Sequence, residues 1–326
     1  MSRKKIIGRF APSPTGRMHL GNVFSALISY LSAKSQGGEW VLRIEDLDRG
    51  RCKPEYIDLL KRDLEFLGLE WDRGGEGEWC QSARSEHYER ALSILEEKGL
   101  TYPCWCTRAE LMAASAPHES DGRIIYPGTC RDNAERVALN AGRPAATRIM
   151  VPDEVIKFTD THYGPQEVAL ASSCGDFVLR RSDGAWAYQL AVVVDDALMG
   201  VTEVVRGRDL LLSAAQQLFL FNVLGYTAPS YCHFPLLCNS LGQRLSKRDA
   251  ALDMGALRER YSAGEIISIL AHYAGLLPSG GTDHSDTVQH DKIEPCTPQD
   301  LIPLFDWSKV PTKDIIVQVN DRMKRL

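Results

Sequence analysis

The chain has 326 residues, enough for about two domains of ordinary size, and its content of 44% hydrophobic and 25% charged residues excludes global disorder. Its apolar runs, such as Leu190 to Val194, are too short to span a bilayer, and the opening MSRKKIIGRF has no apolar segment of signal-peptide length. With 38 Lys and Arg against 43 Asp and Glu the net charge is -5, which excludes a histone-like mode of nucleic-acid binding but not a local basic face. Nine scattered cysteines, an odd number, argue against a disulfide framework and for reduced thiols in a cytoplasmic protein.

Residues 5–10 predict a buried strand running into the loop APSPTGRMHLGN, where Pro12 and Pro14 forbid helix before Thr15. From Asn22 to Ser35 the apolar residues Val23, Ala26, Leu27, Tyr30 and Leu31 recur at helical spacing, and Gly37 and Gly38 end the pattern. Glu39 to Ile44 predicts a second strand, delivering Glu45, Asp46 and Asp48 at its carboxyl end. Strand, loop, helix, strand is the opening of a parallel α/β nucleotide-binding fold. Helical patterns follow over Lys53–Leu67 and Ser85–Lys98. Thr101 to Arg148 is loop-rich, holds Cys104, Cys106 and Cys130, and reads as an insertion. Phe177–Leu179 and Ala187–Val194 have buried-strand composition; Leu210–Leu224 and Met254–Leu277 read as helices. A polar basic loop covers Gly242–Arg248, a polar linker Pro278–Gln299, and the tail ends in Arg322, Lys324 and Arg325. There is no internal repeat.

Two elements suggest chemistry. In His19–Leu20–Gly21–Asn22 a glycine at the strand-to-helix transition lets backbone approach a ligand, and the helix start offers free N–H groups and a positive dipole end. An imidazole beside it can donate to a phosphoryl oxygen; alone, four such residues favour a glycine turn with an incidental surface histidine. In Gly242-Gln-Arg-Leu-Ser-Lys-Arg248 three cations fall within five residues, so the segment is either a solvated loop or meets an anion. Together, more than 200 residues apart, they suggest two halves of an ATP site, one cradling the triphosphate and the other neutralising departing pyrophosphate. Arg9 and Arg206 can each grip a carboxylate bidentately, Glu45 can pair an ammonium, and Tyr188 supplies a hydroxyl. Internal salt bridging, for instance of Arg9 with Glu45, is the alternative use of these charges.

RFAPSPTGRMHLGN, RIEDLD, VVDD, VVRGRDLL and RLSKR, in that order, resemble the glutamyl branch of class I aminoacyl-tRNA synthetases over residues 5–250 or so. The resemblance implies a Rossmann-like parallel α/β sheet with a zinc-containing insertion and a short helical C-terminal extension. It implies a first catalytic half over 1–100, a zinc-binding insertion over 101–148, a second catalytic half over 149–250 and the extension over 251–326. His19 to Asn22 corresponds to the family's HIGH signature and Arg244 to Arg248 to its KMSKS signature, with Asn22 in place of the final His and Lys247, the central cation, retained. His19 and Lys247 are thereby the catalytic candidates, and His19, Gly21, Asn22 and Lys247 the ATP-binding set. Arg9, Ala11, Ser13, Glu45, Tyr188 and Arg206 form the implied L-glutamate site.

Cys104-x-Cys106 followed by Tyr126-x-x-x-Cys130 has the look of a metal site, and three thiolates with one oxygen can close a tetrahedron around zinc. The resemblance implies one structural Zn²⁺ with Tyr126 as fourth ligand, His118 being the rival; the other six cysteines lack partners at ligand spacing. Only 78 residues follow Arg248, too few for the helical anticodon-binding region of a full glutamyl-tRNA synthetase. In this the chain resembles the glutamyl-queuosine tRNA(Asp) synthetases. Membership there implies activation of L-glutamate by ATP, with Mg²⁺, without tRNA, then transfer to the queuosine base in the tRNA(Asp) anticodon. The other expectations are a shortened synthetase charging a tRNA 3′ end, or a non-catalytic paralogue that binds tRNA or amino acid.

Overall fold

The computed structural model describes residues 5–107, 109–111, 125–245, 252–278 and 294–317. Strand β1 (Ile7–Phe10) leads through the proline loop into helix α1 (Leu20–Ser35), and β2 (Glu39–Leu42) returns parallel to β1, with Ile7 opposite Glu39 and Phe10 opposite Leu42. The turn between α1 and β2 depends on glycine: Gly37 has φ +68°, and a Cβ on Gly38 would lie 2.7 Å from the Ile6 carbonyl oxygen. Helix α2 (Pro54–Phe66), strand β3 (Arg73–Gly74) and helix α3 (Ser85–Glu97) complete the first half.

The chain then builds β4 (Thr101–Cys104) and β5 (Ala146–Ile149) at the two ends of the insertion, the hairpin β6 (Val155–Asp160) and β7 (Gly164–Ala169), and β8 (Phe177–Arg180). β4, β5 and β8 form a separate three-stranded antiparallel sheet, so the insertion is pinned at both ends by one ladder. Helix α4 (Tyr188–Leu198) precedes β9 (Glu203–Gly207), α5 (Leu211–Leu224), β10 (Ser230–Phe234) and β11 (Leu237–Cys238). The seven-stranded sheet has the order β3-β2-β1-β9-β10-β6-β7, parallel except for the β6–β7 hairpin. The chain leaves β1 toward β2 and returns on its other side at β9, making a topological switch point, where open α/β sheets bind their ligands.

Two sequence expectations are corrected. Ala187–Val194 is not a strand but the N-terminal part of α4: residues 190–196 are all buried, so the apolar run has no polar face by which a helical period could be read. Met254–Leu277 is not one helix but two, α6 (Met254–Arg258) and α7 (Ala263–Tyr273), because Ser262 starts α7 with a capping box to Glu265. The residues after the basic loop pack back onto α1. Leu257, Ile266, Leu270 and Leu301 share a core with Leu27 and Leu31, and Trp307 Nε1 donates to Ser32 Oγ at 3.3 Å. A short strand β12 (Ile315–Ile316) pairs with β11. A second core joins α3, α4 and α5. No described helix is long and apolar enough to cross a membrane. The basic tail residues Arg322, Lys324 and Arg325 lie outside the described residues.

Candidate active site

A cleft of about 500 Å³ opens at the carboxyl ends of β1, β9 and β10. Arg9, Ala11, Ser13, Glu45, Tyr188 and Arg206 all line it, as do His19, Gly21 and Asn22. The structure thus brings together nine expected residues drawn from four separate stretches of sequence. Lys247 lies outside the described residues, together with Ser246 and Arg248.

His19 is the N-cap of α1. Its Nδ1 accepts from the Gly21 N–H at 3.1 Å, and Asn22 Oδ1 accepts from the His19 N–H at 3.1 Å, a reciprocal box that locks the start of the helix. With Nδ1 an acceptor, the ring proton belongs on Nε2, the tautomer that can donate to an anion. Asn22 therefore has a structural role, its oxygen bracing the histidine. Gly21 leaves room for the ring, since a Cβ there would stand 3.0 Å from His19 Cε1 and 3.1 Å from Nδ1, close enough that the imidazole would have to shift.

Beneath the cleft floor lies a charge network whose central members carried no assigned role in the sequence. Arg43, fully buried, donates from Nη1 to Asp196 Oδ1 at 2.5 Å and from Nη2 to Glu45 Oε1 at 3.0 Å, with Asp195 at 3.9 Å. Arg9 Nε reaches the same Asp196 Oδ1 at 3.3 Å. Arg9 is therefore held by Asp196, and Glu45 by Arg43, in place of a direct Arg9–Glu45 pair. Burial opposes ionisation of Asp196, but Arg43 and Arg9 outweigh it and hold the carboxyl below its ordinary range. Burial pushes the Glu45 carboxyl up, against the pull of Arg43. Asp195 is held by Arg84 at 2.5 Å, Gln81 at 2.8 Å and the Tyr88 hydroxyl at 2.9 Å. The RIEDLD and VVDD runs were the available signal for Arg43, Asp195 and Asp196.

Arg206 is different in kind. It is 6% exposed, yet its Nε donates to His233 Nε2 at 3.0 Å, Nη1 to Gln217 Oε1 at 2.8 Å and Nη2 to the Leu210 carbonyl at 3.1 Å. Among the described residues it makes no ion pair with a carboxylate. Arg206 thus stands at the wall of the cleft with its three nitrogens on neutral acceptors, so its charge is not neutralised by a carboxylate among the described residues. Tyr188, the first residue of α4 and 37% exposed, opens onto the same space. Also lining the cleft, Arg244 pairs with Asp209, and Leu245 is buried with its N–H donating to the Leu237 carbonyl at 2.9 Å. The rim cation therefore has a protein partner at rest.

Cys104, Cys106 and Cys130 bring their sulfurs within 4.8 Å of one another. The Tyr126 oxygen lies 3.5 Å from Cys104 Sγ and 3.8 Å from Cys106 Sγ, and accepts from the Cys130 N–H at 2.8 Å. Three sulfurs and a phenolic oxygen converging at these separations fit a tetrahedral zinc site. Arg148 stacks on the Tyr126 ring with its guanidinium carbon 3.8 Å from the centroid, and Arg136 donates to Cys106 Sγ at 3.6 Å, both favouring anionic ligands. His118 lies outside the described residues. Cys52, Cys80, Cys174, Cys232, Cys238 and Cys296 join no such cluster among the described residues.

A cleft at the switch point of a parallel α/β sheet, with a capped helix start and buried guanidiniums at its walls, can receive an anionic ligand. Residues 5–271 match the family of class I tRNA synthetases (E and Q), catalytic domain, and the chain belongs to that family, as a ligase of the aminoacyl-tRNA synthetase type. It is 43% identical to the glutamyl-Q tRNA(Asp) synthetase of Nitratidesulfovibrio vulgaris over 98% of each chain. It is 44% identical to the protein of the same name from Symbiobacterium thermophilum over 95% of each. Within the class, its relationship is thus with the glutamyl-Q tRNA(Asp) synthetases. Among solved structures it is similar to the glutamate-tRNA synthetase of Elizabethkingia anophelis, with a TM-score of 0.78 and 28% identity, covering 98% of this chain and 69% of that one.

Proposed function

We propose that the cleft converts L-glutamate and ATP to glutamyl-adenylate without needing tRNA, and that glutamate then passes to the queuosine base in the anticodon of tRNA(Asp). The observation that carries the glutamate assignment is Arg206, a buried cation facing the cleft with neutral acceptors alone among the described residues. A substrate carboxylate supplies the missing anion. Arg9 at the β1 end is the second carboxylate grip, Glu45 faces the substrate ammonium, and Ala11, Ser13 and Tyr188 shape the remaining wall.

In the first step a glutamate α-carboxylate oxygen attacks the α-phosphorus of ATP. The bond from that phosphorus to the oxygen bridging to the β-phosphate breaks, and pyrophosphate leaves. The protein's part is orientation and charge neutralisation: the α1 start and His19 Nε2 serve the phosphates, and Lys247 balances the charge that develops as pyrophosphate departs. Mg²⁺ accompanies ATP. In the second step a hydroxyl of the queuosine cyclopentene diol attacks the glutamyl carbonyl carbon, losing its proton, and AMP leaves as the ester forms. A zinc ion on Cys104, Cys106, Tyr126 and Cys130 would order the insertion and takes no part in these steps. The queuosine acceptor is supported by the names of relatives matched over 98% and 95% of their length.

The test is the fate of radiolabelled glutamate. Label is expected on queuosine-containing tRNA(Asp), none on the same tRNA lacking the modification, and it should survive removal of the 3′ CCA end. Labelling that requires the 3′ end would assign the chain to ordinary charging. Glutamate-dependent pyrophosphate exchange should appear without RNA; exchange that begins only when tRNA is added would refute tRNA-independent activation.

A further inference from the structure

We propose that His233 and Asp160 form a buried positioning relay that holds the Arg206 guanidinium in place without neutralising it. This rests on the reading of Arg206 as a glutamate-binding residue and adds two residues behind it. Arg206 and His233 stand opposite each other in the register of the parallel pair β9–β10, and β10 pairs in turn with β6, which ends at Asp160. In that register Asp160 is level with Tyr231, two residues before His233, and the side-chain contact of Asp160 with His233 completes a row of three across adjacent strands. His233 and Asp160 are 0% exposed, and neither reaches the cleft.

The direction of each hydrogen bond is fixed from the far end. Asp160 Oδ1 accepts from the backbone N–H groups of His162 at 3.0 Å, Tyr163 at 2.9 Å and His233 at 3.3 Å. A carboxylate so held stays ionised. Its Oδ2 lies 2.6 Å from His233 Nδ1 and can only accept there, so the imidazole proton belongs on Nδ1. Nε2 then carries a lone pair, and it accepts from Arg206 Nε at 3.0 Å. Burial and the nearby Arg206 charge keep the ring neutral despite Asp160.

A carboxylate in the place of His233 would orient Arg206 equally well but would consume its charge. A neutral imidazole orients it and leaves the charge for the substrate. Gln217 and the Leu210 carbonyl follow the same rule at the other two nitrogens. Asp160 is thus an anion kept one residue back from the cation it steers.

Three variants of the full chain separate positioning from bulk stability. In His233→Gln the amide oxygen stands near the former Nε2 and accepts from Arg206, while the Asp160 bond is lost. In His233→Asn the amide N–H stands near the former Nδ1 and serves Asp160, while Arg206 Nε loses its acceptor. Asp160→Asn must keep its oxygen toward the three backbone N–H groups, so its NH₂ faces His233, the ring proton moves to Nε2, and N–H meets the N–H of Arg206. Calorimetric binding of L-glutamate should weaken about tenfold or more in His233→Asn and Asp160→Asn, the scale of a buried donor left unsatisfied, and about threefold or less in His233→Gln. Thermal midpoints are recorded for all three, and the affinity for ATP should stay within about twofold of the parent in each. Equal loss in His233→Gln and His233→Asn, or glutamate affinities that simply follow the thermal midpoints, would overturn the relay. Arg206→Lys is the separate control: unchanged glutamate affinity there would overturn the assignment of Arg206 itself, whatever the relay does.

Discussion

Arg43 and Asp196 face each other at 2.5 Å with neither side chain exposed to solvent, and Asp196 reaches Arg9 as well at 3.3 Å. One carboxylate therefore aligns two guanidiniums, one from β1 and one from the residue after β2, of which only Arg9 lines the cleft. Asp196→Asn keeps the shape and removes the charge. Breaking a buried ion pair from one side leaves an uncompensated charge, so the variant should lose about 3–5 kcal/mol of stability in a urea melt and bind glutamate more weakly. A melt within about 0.5 kcal/mol of the parent, the range of a surface substitution, would show that Arg43 is satisfied by Glu45 and Asp195 alone.

Gly21→Ala separates stability from activity. Alanine is a better helix former than glycine by roughly 0.5–1 kcal/mol, so the thermal midpoint should hold or rise. The added Cβ, 3.0 Å from His19 Cε1, must displace the imidazole, and exchange activity should fall about tenfold or more through misplacement of that donor. Activity preserved alongside the stability gain would remove His19 from the phosphate site.

Lys247→Ala should lower kcat for pyrophosphate exchange about a hundredfold or more, the scale of losing one preorganised charge, with little change in the KM for glutamate. A large rise in that KM at unchanged kcat would place Lys247 in ground-state binding instead.

Elemental analysis of the purified chain should give about one zinc, as expected for a closed Cys-rich structural site. Cys104→Ser should lose the metal and expose the 101–130 segment to protease, while glutamate activation survives at least in part. Tyr126→Phe should weaken zinc retention and His118→Ala should not; the reverse pattern would transfer the fourth ligand position to the histidine.

The opening of the fold was legible because a long run at helical spacing lies between two short apolar runs, with Gly37 and Gly38 as the break; residues 26–33 of α1 are all buried, but Ser29 and Ser32 interrupt its apolar residues and leave the period visible. All the expected lining residues but Tyr188 were legible because they sit in contiguous motifs. α4 reads as a strand because a helix buried on every side loses its period, and Val192, Val193 and Val194 add strand composition. The hairpin β6–β7 escapes a reading of the sequence, although Ile156 and Phe158 alternate with exposed Val155, Lys157 and Thr159. Asp160 and His233 are 73 positions apart and belong to no motif, so nothing short of the strand register could join them. Arg43 and Asp196 stand inside the RIEDLD and VVDD motifs, but a partner 153 residues away is a property of the sheet.

The packing of the last described residues onto α1 bears on the order in which the molecule comes into being. Trp307 lies 275 positions from Ser32, and Gln299 donates to the Tyr30 hydroxyl across 269. At a translation speed of about 5–20 residues per second, the apolar flank of α1 waits roughly 15–55 s on the ribosome for its cover. During that interval the cleft-facing end of α1 can be capped by His19 and Asn22 alone, because that box is local, whereas the rim strand β11 has no β12 to pair with. Nascent chains stopped short of residue 298 should therefore hold a formed helix start on an uncovered core, a natural substrate for chaperones, and the β11 rim of the cleft gains its partner strand only once residues 315 and 316 have been made.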